Sequence, residues 1–142
     1  MAKETASRAI VFADISGSTR LYETLGDAIA RELIAQCLEI ITEQVKRHNG
    51  AVIKTIGDEI MATFGSAERA VEACMAMQES VAEDLPQRNK HTPGDFAIRI
   101  GMHYGTCILE GGDVFDAVHI TYGLHVGFLA AASCGAGFVT LL

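Results

Sequence analysis

The sequence contains no tryptophan and only two prolines among its 142 residues, and it is short of positive charge. Lysine and arginine total 11 against 18 aspartates and glutamates, which gives a net charge of −7 with histidine neutral. Extended binding to the nucleic-acid backbone needs a basic surface, so we expect no nucleic-acid partner. If the protein binds a phosphorylated molecule, metal ions and a few individually placed lysines or arginines must supply the positive charge.

Cysteine is sparse as well, and the four cysteines are widely spaced: Cys37, Cys74, Cys107 and Cys134. They form no C-x-x-C pair and have no histidine at ligand spacing, which argues against a disulfide framework or a structural zinc site. We predict small buried thiols in a reducing compartment. The polar stretch Met1–Arg8 lacks the apolar core of a signal peptide, so the expected location is the cytoplasm.

The end of the sequence lacks charge altogether, because no Asp, Glu, Lys or Arg follows Asp116. By length and lack of charge, Ala117–Leu142 meets the crude criterion for a membrane span. Two histidines, two threonines and four glycines interrupt this stretch, however, and no basic residue follows it. We therefore predict a core domain over residues 1–116 and an atypical apolar segment over residues 117–142 that packs on it. A membrane-anchored fragment is the alternative.

The rest of the sequence, with 49% hydrophobic residues overall, has the periodicity of a globular domain. The predicted elements are a strand at Arg8–Asp14, a helix start at Gly17-Ser18-Thr19, a helix over Asp27–His48, strands at Ala51–Ile56 and Glu59–Phe64, a helix from Ser66 to Pro86, and a strand from Phe96 to Leu109. Gly50 is expected to end the first long helix in the left-handed conformation, and Gly57 to form a hairpin turn. Pro86–Asp95 is predicted to be a polar loop. The order β-α-β-β-α-β predicts an α+β, ferredoxin-like domain, with an antiparallel sheet and helices on one face.

Two acidic residues are expected to meet at one end of this sheet. Asp14 closes the first strand, and Asp58 lies in the hairpin turn. Two close carboxylates either share a proton or hold a divalent cation, and oxygen ligands favour Mg²⁺ or Mn²⁺ over zinc. The small residues Gly17, Ser18 and Thr19 follow Asp14, and their backbone N–H groups can bind phosphate at a helix start. The pattern indicates a nucleoside triphosphate site; purely structural roles for both aspartates are the alternative.

Three stretches of the sequence resemble a known family in the family's own order: V-F-A-D-I-S-G-S-T-R-L-Y-E-T-L-G-D at Val11–Asp27, G-A-V-I-K-T-I-G-D-E-I-M-A-T-F at Gly50–Phe64, and I-R-I-G-M-H-Y-G at Ile98–Gly105. Together they are similar to the motifs of class III adenylate and guanylate cyclases. The resemblance covers roughly Ile10 to Phe115 and implies the cyclase homology fold.

The resemblance implies roles for individual residues. Asp14 and Asp58 match the two catalytic, metal-binding aspartates, and the carbonyl of Ile15 matches a further metal ligand. Lys54 matches the lysine that selects adenine by hydrogen bonding the base; a solvated strand lysine is the alternative. Arg99 resembles a phosphate-contacting arginine; an ion pair with a surface acid is the alternative.

The fourth motif of the family is incomplete in this sequence. Asp113 fits the second base-selecting position, but His119 stands where the family has asparagine and Gly123 where it has arginine. No arginine follows Arg99 and no asparagine follows Asn89, so no shift of the alignment supplies them. Loss of one preorganised transition-state contact costs about 10²–10³ in rate, so we expect impaired turnover.

The resemblance implies a head-to-tail dimer with active sites at the interface, formed with a second copy or with another cyclase domain. The implied reaction converts ATP to cyclic AMP and pyrophosphate with Mg²⁺ or Mn²⁺. Two hypotheses follow: an adenylate-cyclase-type domain with impaired activity, and a non-catalytic pseudo-cyclase that serves as a regulatory or dimerisation module.

Overall fold

The computed structural model describes residues 4–110, 113–115 and 138–141, with side chains described over residues 7–105. Within these residues the elements are β1 Glu4–Ile15, α1 Ser18–Leu25, α2 Asp27–Arg47, β2 Ala51–Ile56, β3 Glu59–Phe64, α3 Ala67–Arg88, β4 Ile98–Glu110, β5 Asp113–Phe115 and β6 Phe138–Leu141. The predicted α+β, ferredoxin-like fold is confirmed, and the helix start predicted at Gly17-Ser18-Thr19 is a separate short helix.

The sheet is built around β1, which pairs antiparallel with β3 on one side and β4 on the other. The strands follow the order β2-β3-β1-β4-β5. Strand β6 pairs with residues 99–102 of β4 in parallel, the one exception to the antiparallel pattern in the described part of the chain. Cα atoms of β2 and β5, the two ends of the path, come within 8 Å of each other, so the sheet is strongly curled.

The described helices share one face of the sheet, where they form a continuous apolar core with the inward residues of the strands. The sheet contributes Ala9, Val11, Ala13, Ile15, Ile60, Ala62, Phe64, Ile98, Ile100 and Met102 to this core. Alternate residues of a strand point to opposite faces, so Ile10, Phe12 and Asp14 lie on the other face. Ile10 and Phe12 are also buried. Asp14 follows Phe12 on this same face of β1, so it has the buried side chain of Phe12 as its neighbour.

The end of α2 differs from the prediction that Gly50 would take the left-handed conformation. Asn49 has the positive φ, 58°, and no positive φ occurs at Gly50. Asparagine tolerates this conformation better than most residues. Gly50 is needed for a different reason: a Cβ at this position would lie 2.5 Å from Cε1 of Phe64. The glycine allows the backbone to pass directly against the buried ring of Phe64.

Helix α3 begins as predicted and ends later than predicted. The side chain of Ser66 accepts a hydrogen bond from the backbone N–H of Arg69 at 3.2 Å, which confirms the predicted N-cap. The helix runs through Pro86 to Arg88, so the polar loop predicted from Pro86 begins at Asn89. Proline removes one backbone donor in the last turn, and the N–H of Asn89 still bonds the carbonyl of Leu85 at 2.9 Å.

Candidate active site

Asp14 and Arg99 form an ion pair with two hydrogen bonds on the face opposite the helices. The antiparallel register places them directly opposite each other on β1 and β4. Arg99 donates from Nε to Oδ1 of Asp14 at 2.9 Å and from Nη2 to Oδ2 at 2.8 Å. The side chains of Arg99 and Asp14 are only 24% and 22% exposed, so the partner of Arg99 is a mostly buried carboxylate and not a surface acid. Arg99 thus pairs with Asp14, which the sequence motifs predict to bind metal.

Asp58 lies close enough to Asp14 to influence it electrostatically. Gly57 enters the hairpin turn with φ 58°, as predicted, and Asp58 completes the two-residue turn before Glu59. Burial raises the pKa of Asp14, the hydrogen bond and charge of Arg99 oppose this shift, and the charge of Asp58 adds to it. The register pairs Asp14 with Glu59, the residue after Asp58, so the strand end and the hairpin turn lie at the same end of the sheet, as predicted.

The loop between β1 and α1 consists of Ser16 and Gly17 and begins two residues after Asp14. Gly17 adopts a left-handed conformation, φ 69° and ψ 37°, which a glycine takes without steric cost. The backbone N–H of Ser16 donates to the carbonyl of Ala97 at 2.9 Å and so ties the loop to the approach to β4. No side chain caps the start of α1. Uncapped N–H groups at a helix start can donate to an anion.

A cavity of about 450 Å³ adjoins the hairpin turn. It is lined by Ser18 and Tyr22 of α1, by Arg31, Ile34, Ala35 and Leu38 of α2, and by Gly57 and Asp58 of the turn. The wall therefore brings together Ser18 and Asp58, two predicted site residues that are separated in sequence by the whole of α1 and α2. Thr19, the next predicted phosphate-loop residue, is exposed.

A β-bulge in β2 determines where Lys54 lies. The register of β2 and β3 shifts between Val52 and Lys54, so that Ile53 and Lys54 together oppose Met61. The extra residue turns Lys54 to the face of Met61 and Asp14, away from the helices. Without the bulge, strict alternation would direct Lys54 to the helix-covered face with Val52. No local sequence pattern indicates this irregularity.

The second base-selecting candidate, Asp113, begins β5. Its strand contacts β2, which brings the backbone around Asp113 near the strand that carries Lys54. The side chain of Asp113 lies outside the described side chains. His119 and Gly123, and the segment from residue 116 to 137, lie outside the described residues altogether.

The donor chemistry at Asp14 and Asp58 fits a magnesium-type ion. Among the residues with described side chains, no third His, Cys, Asp or Glu joins them in a metal-binding cluster. A closed all-protein cage is therefore not built from these residues. Mg²⁺ characteristically uses one or two carboxylates and takes its other ligands from phosphate oxygens and water. Two carboxylates and the main-chain carbonyl of Ile15 match that pattern.

Two of the four cysteines have described side chains. Cys37 and Cys74 are free and buried, as predicted, whereas the side chains of Cys107 and Cys134 lie outside the described ones. In the part of the chain that the structure describes, no helix is both long enough and apolar enough to cross a bilayer. Strand β6, within the segment predicted to pack on the domain, pairs with β4.

An antiparallel sheet with this strand order, two carboxylates at one end and a glycine loop before a helix defines a nucleotide-cyclase type of domain. Residues 1–125 match the family described as the adenylate and guanylate cyclase catalytic domain, and the chain belongs to that family. The relationship predicted from the three motifs is thereby confirmed.

Individual relatives and solved structures agree with this assignment. The chain is 36% identical over 126 residues to a protein described as putative adenylate cyclase 3 of Rhizobium meliloti, an alignment covering 84% of this chain and 21% of that protein. It is 29% identical over 109 residues to an adenylate cyclase of Streptomyces coelicolor, covering 75% and 26%. The chain thus spans only about a quarter of the length of these relatives.

Among solved structures, the adenylyl cyclase CyaB from P. aeruginosa superposes with a TM-score of 0.76 at 21% identity, covering 95% of this chain and 76% of that one. An adenylate/guanylate cyclase/hydrolase from Silicibacter pomeroyi superposes with a TM-score of 0.65 at 31% identity, covering 87% and 71%. At 21% identity, the similarity to CyaB shows a shared fold and nothing more.

Proposed function

We propose that this domain is of the adenylate cyclase type: it binds ATP with Mg²⁺ or Mn²⁺ and forms cyclic AMP and pyrophosphate at a reduced rate. The observation that carries the proposal is that Asp14, near the end of β1, and Asp58, in the hairpin turn, lie at the same end of the sheet, where Asp14 pairs with Glu59. Their position beside the uncapped start of α1 supports a site for a metal-bound triphosphate.

The residues around Asp14 would bind the phosphate end of the substrate. Asp14, Asp58 and the carbonyl of Ile15 would hold the divalent cation, which when bound neutralises phosphate charge and activates the ribose 3′-hydroxyl. Backbone N–H groups of the loop from Gly17 through Ser18 and Thr19 would donate to phosphate oxygens. Arg99 would contribute a guanidinium whose planar fork matches phosphate oxygens.

Lys54 and Asp113 would select the base. Adenine presents a ring-nitrogen acceptor beside an amino donor, so a lysine ammonium can donate to the first and a carboxylate can accept from the second. The contact between β2 and β5 supports a joint role, since these strands carry the two residues. In a head-to-tail dimer, Lys54 and Asp113 would serve the site that contains the partner's aspartates.

Turnover is expected to be slow because two transition-state residues are replaced. His119 cannot copy an asparagine amide, and Gly123 has no side chain to neutralise developing charge. The same replacements favour a second candidate function, a pseudo-cyclase that regulates or dimerises with a complete cyclase domain in the cytoplasm. Such a domain would lend Asp14 and Asp58 to a partner that has the missing asparagine and arginine.

The test is cyclic AMP formation from ATP with Mn²⁺, compared among the unmodified domain, Asp58→Ala and Gly123→Arg. We expect a low rate that falls at least about 10²-fold in Asp58→Ala and rises at least about tenfold in Gly123→Arg. Asp27→Ala, which removes an exposed carboxylate at the start of α2, is the matched control and should leave the rate unchanged. ATP binding measured in parallel separates an inactive pseudo-cyclase that binds ATP from a domain that binds no nucleotide. An ATP affinity that is unchanged by Asp58→Ala would contradict the proposal.

A further inference from the structure

The ion pair of Arg99 and Asp14 uses both oxygens of the carboxylate. The fork geometry, with contacts of 2.9 and 2.8 Å, is the strongest common arrangement for such a pair. Both side chains are about three-quarters buried, so water screens the pair poorly. In this conformation Arg99 is the counter-ion of Asp14.

A divalent cation at Asp14 would have to coexist with this guanidinium or displace it. Mg²⁺ binds carboxylate oxygens at about 2.0–2.1 Å, whereas the Arg99 nitrogens lie 2.8 and 2.9 Å from the same two oxygens. Two positive groups would then share one small carboxylate and repel each other. The negative charge of Asp58 raises the pKa of Asp14 because two nearby carboxylates repel each other. The same negative charge attracts a cation to this position.

From this geometry, and resting on the proposed function, we propose that Arg99 couples divalent-cation binding to triphosphate binding. Without nucleotide, Arg99 holds Asp14 and keeps the affinity of the site for a free cation low. Phosphate oxygens offer the guanidinium an alternative bidentate partner, and Arg99 moves to them when a triphosphate binds. Asp14 is then open to the cation, so the metal site forms only together with its substrate. Arg99 is a positioning residue for Asp14 and a binding residue for phosphate.

The two roles predict effects of opposite sign when the charge of Arg99 is removed. In Arg99→Met, nucleotide-free Mn²⁺ should bind at least about tenfold more tightly, measured from the electron paramagnetic resonance signal of free Mn²⁺ at pH 8. A non-hydrolysable ATP analogue at saturating Mn²⁺ should bind at least about tenfold more weakly to the same variant. A merely structural role for Arg99 would weaken both. Arg88→Met is the control, because Arg88 is also a paired arginine but its partners are Glu39 and Glu43.

The outcomes separate this inference from the proposed function. Mn²⁺ affinity that is unchanged or weaker in Arg99→Met, with analogue binding still sensitive to Asp58→Ala, would overturn the coupling role alone. Absence of Mn²⁺ and analogue binding in every protein would overturn the proposed function and the coupling with it.

Arg99→Gln, which keeps donors but not charge, should repeat the result if the methionine variant folds poorly. In the unmodified protein, the Nε–H resonance of Arg99 should shift when Mg²⁺ and analogue are added together but not with Mg²⁺ alone; no shift with both would contradict the exchange of partners.

Discussion

At the scale of single residues, Cys37 and Cys74 show how burial sets the chemistry of a side chain. Burial raises the pKa of both thiols to about 12, and the charge of Asp58 contributes at Cys37. The raised pKa means that the thiol form persists until the pH approaches 12. Very little thiolate, the form that reacts with alkylating agents, is therefore present at pH 8. We therefore expect both thiols to resist iodoacetamide at pH 8 in the folded protein.

The measurement is mass spectrometry after alkylation, in a background in which Cys107→Ser and Cys134→Ser remove the other thiols. Both remaining cysteines should react within minutes once the protein is unfolded in urea, which provides the control. Rapid modification of Cys37 under native conditions would show that α2 opens readily beside the hairpin turn.

The two aspartates of the site were predictable from sequence because each occupies a local landmark. Asp14 ends an apolar strand, and Asp58 follows a turn glycine. The partner of Arg99 was not predictable in the same way. Asp14 lies 85 residues away, and the pair exists because the register of β1 and β4 places the two residues opposite each other. Sequence patterns identify a strand more readily than they fix its register.

At the scale of the elements, the contact of Gly50 with Phe64 links the end of α2 to the core. An alanine Cβ at position 50 would come within 2.5–2.9 Å of three atoms of the Phe64 ring, and this ring is buried. Overpacking a well-filled core typically costs about 1–3 kcal/mol. We expect Gly50→Ala to lower the free energy of unfolding by this amount, measured by urea denaturation.

A double-mutant cycle tests the cause of that loss. Phe64→Leu removes the ring, so adding Gly50→Ala to Phe64→Leu should cost clearly less than it does in the unmodified protein. Gly65→Ala is a useful comparison, because a Cβ at Gly65 would meet no atom within 4 Å and its φ is not in the positive range. Equal costs of Gly50→Ala in both backgrounds would mean that the ring is not what excludes the methyl group.

Element boundaries were harder to predict than element types, for identifiable reasons. The sequence Asn49-Gly50 contains two residues that tolerate left-handed backbone. Asn49 is the one that adopts it, while Gly50 allows the backbone to pass close to Phe64. Helix α3 continues past Pro86 to Arg88, although proline lacks the backbone N–H that would bond the carbonyl four residues earlier. The bulge at Ile53 has no local marker, yet it decides the face on which Lys54 lies.

At the scale of the whole molecule, this chain carries the residues that we propose for one half of a cyclase site. Asp14, Asp58 and the loop at Gly17 are positioned by the folded core, whereas the family's asparagine and arginine are replaced in the sequence by His119 and Gly123. In the head-to-tail dimer that the resemblance to the family implies, each site would take its aspartates from one subunit and its asparagine and arginine from the other. A dimer of two identical chains would therefore lack the same groups in both sites, but a mixed dimer would not.

This asymmetry predicts complementation. A complete adenylate cyclase domain whose two metal-binding aspartates are changed to alanine should be inactive alone and should regain cyclic AMP formation when this domain is added. We expect the mixture to exceed either protein alone by at least about tenfold, because it restores both the metal ligands and the transition-state contacts in one site. Asp58→Ala in this chain should abolish the gain, while Asp27→Ala, an exposed carboxylate, should preserve it. A mixture that stays silent although the two proteins co-migrate as a dimer would show that Asp14 and Asp58 cannot serve a partner's site.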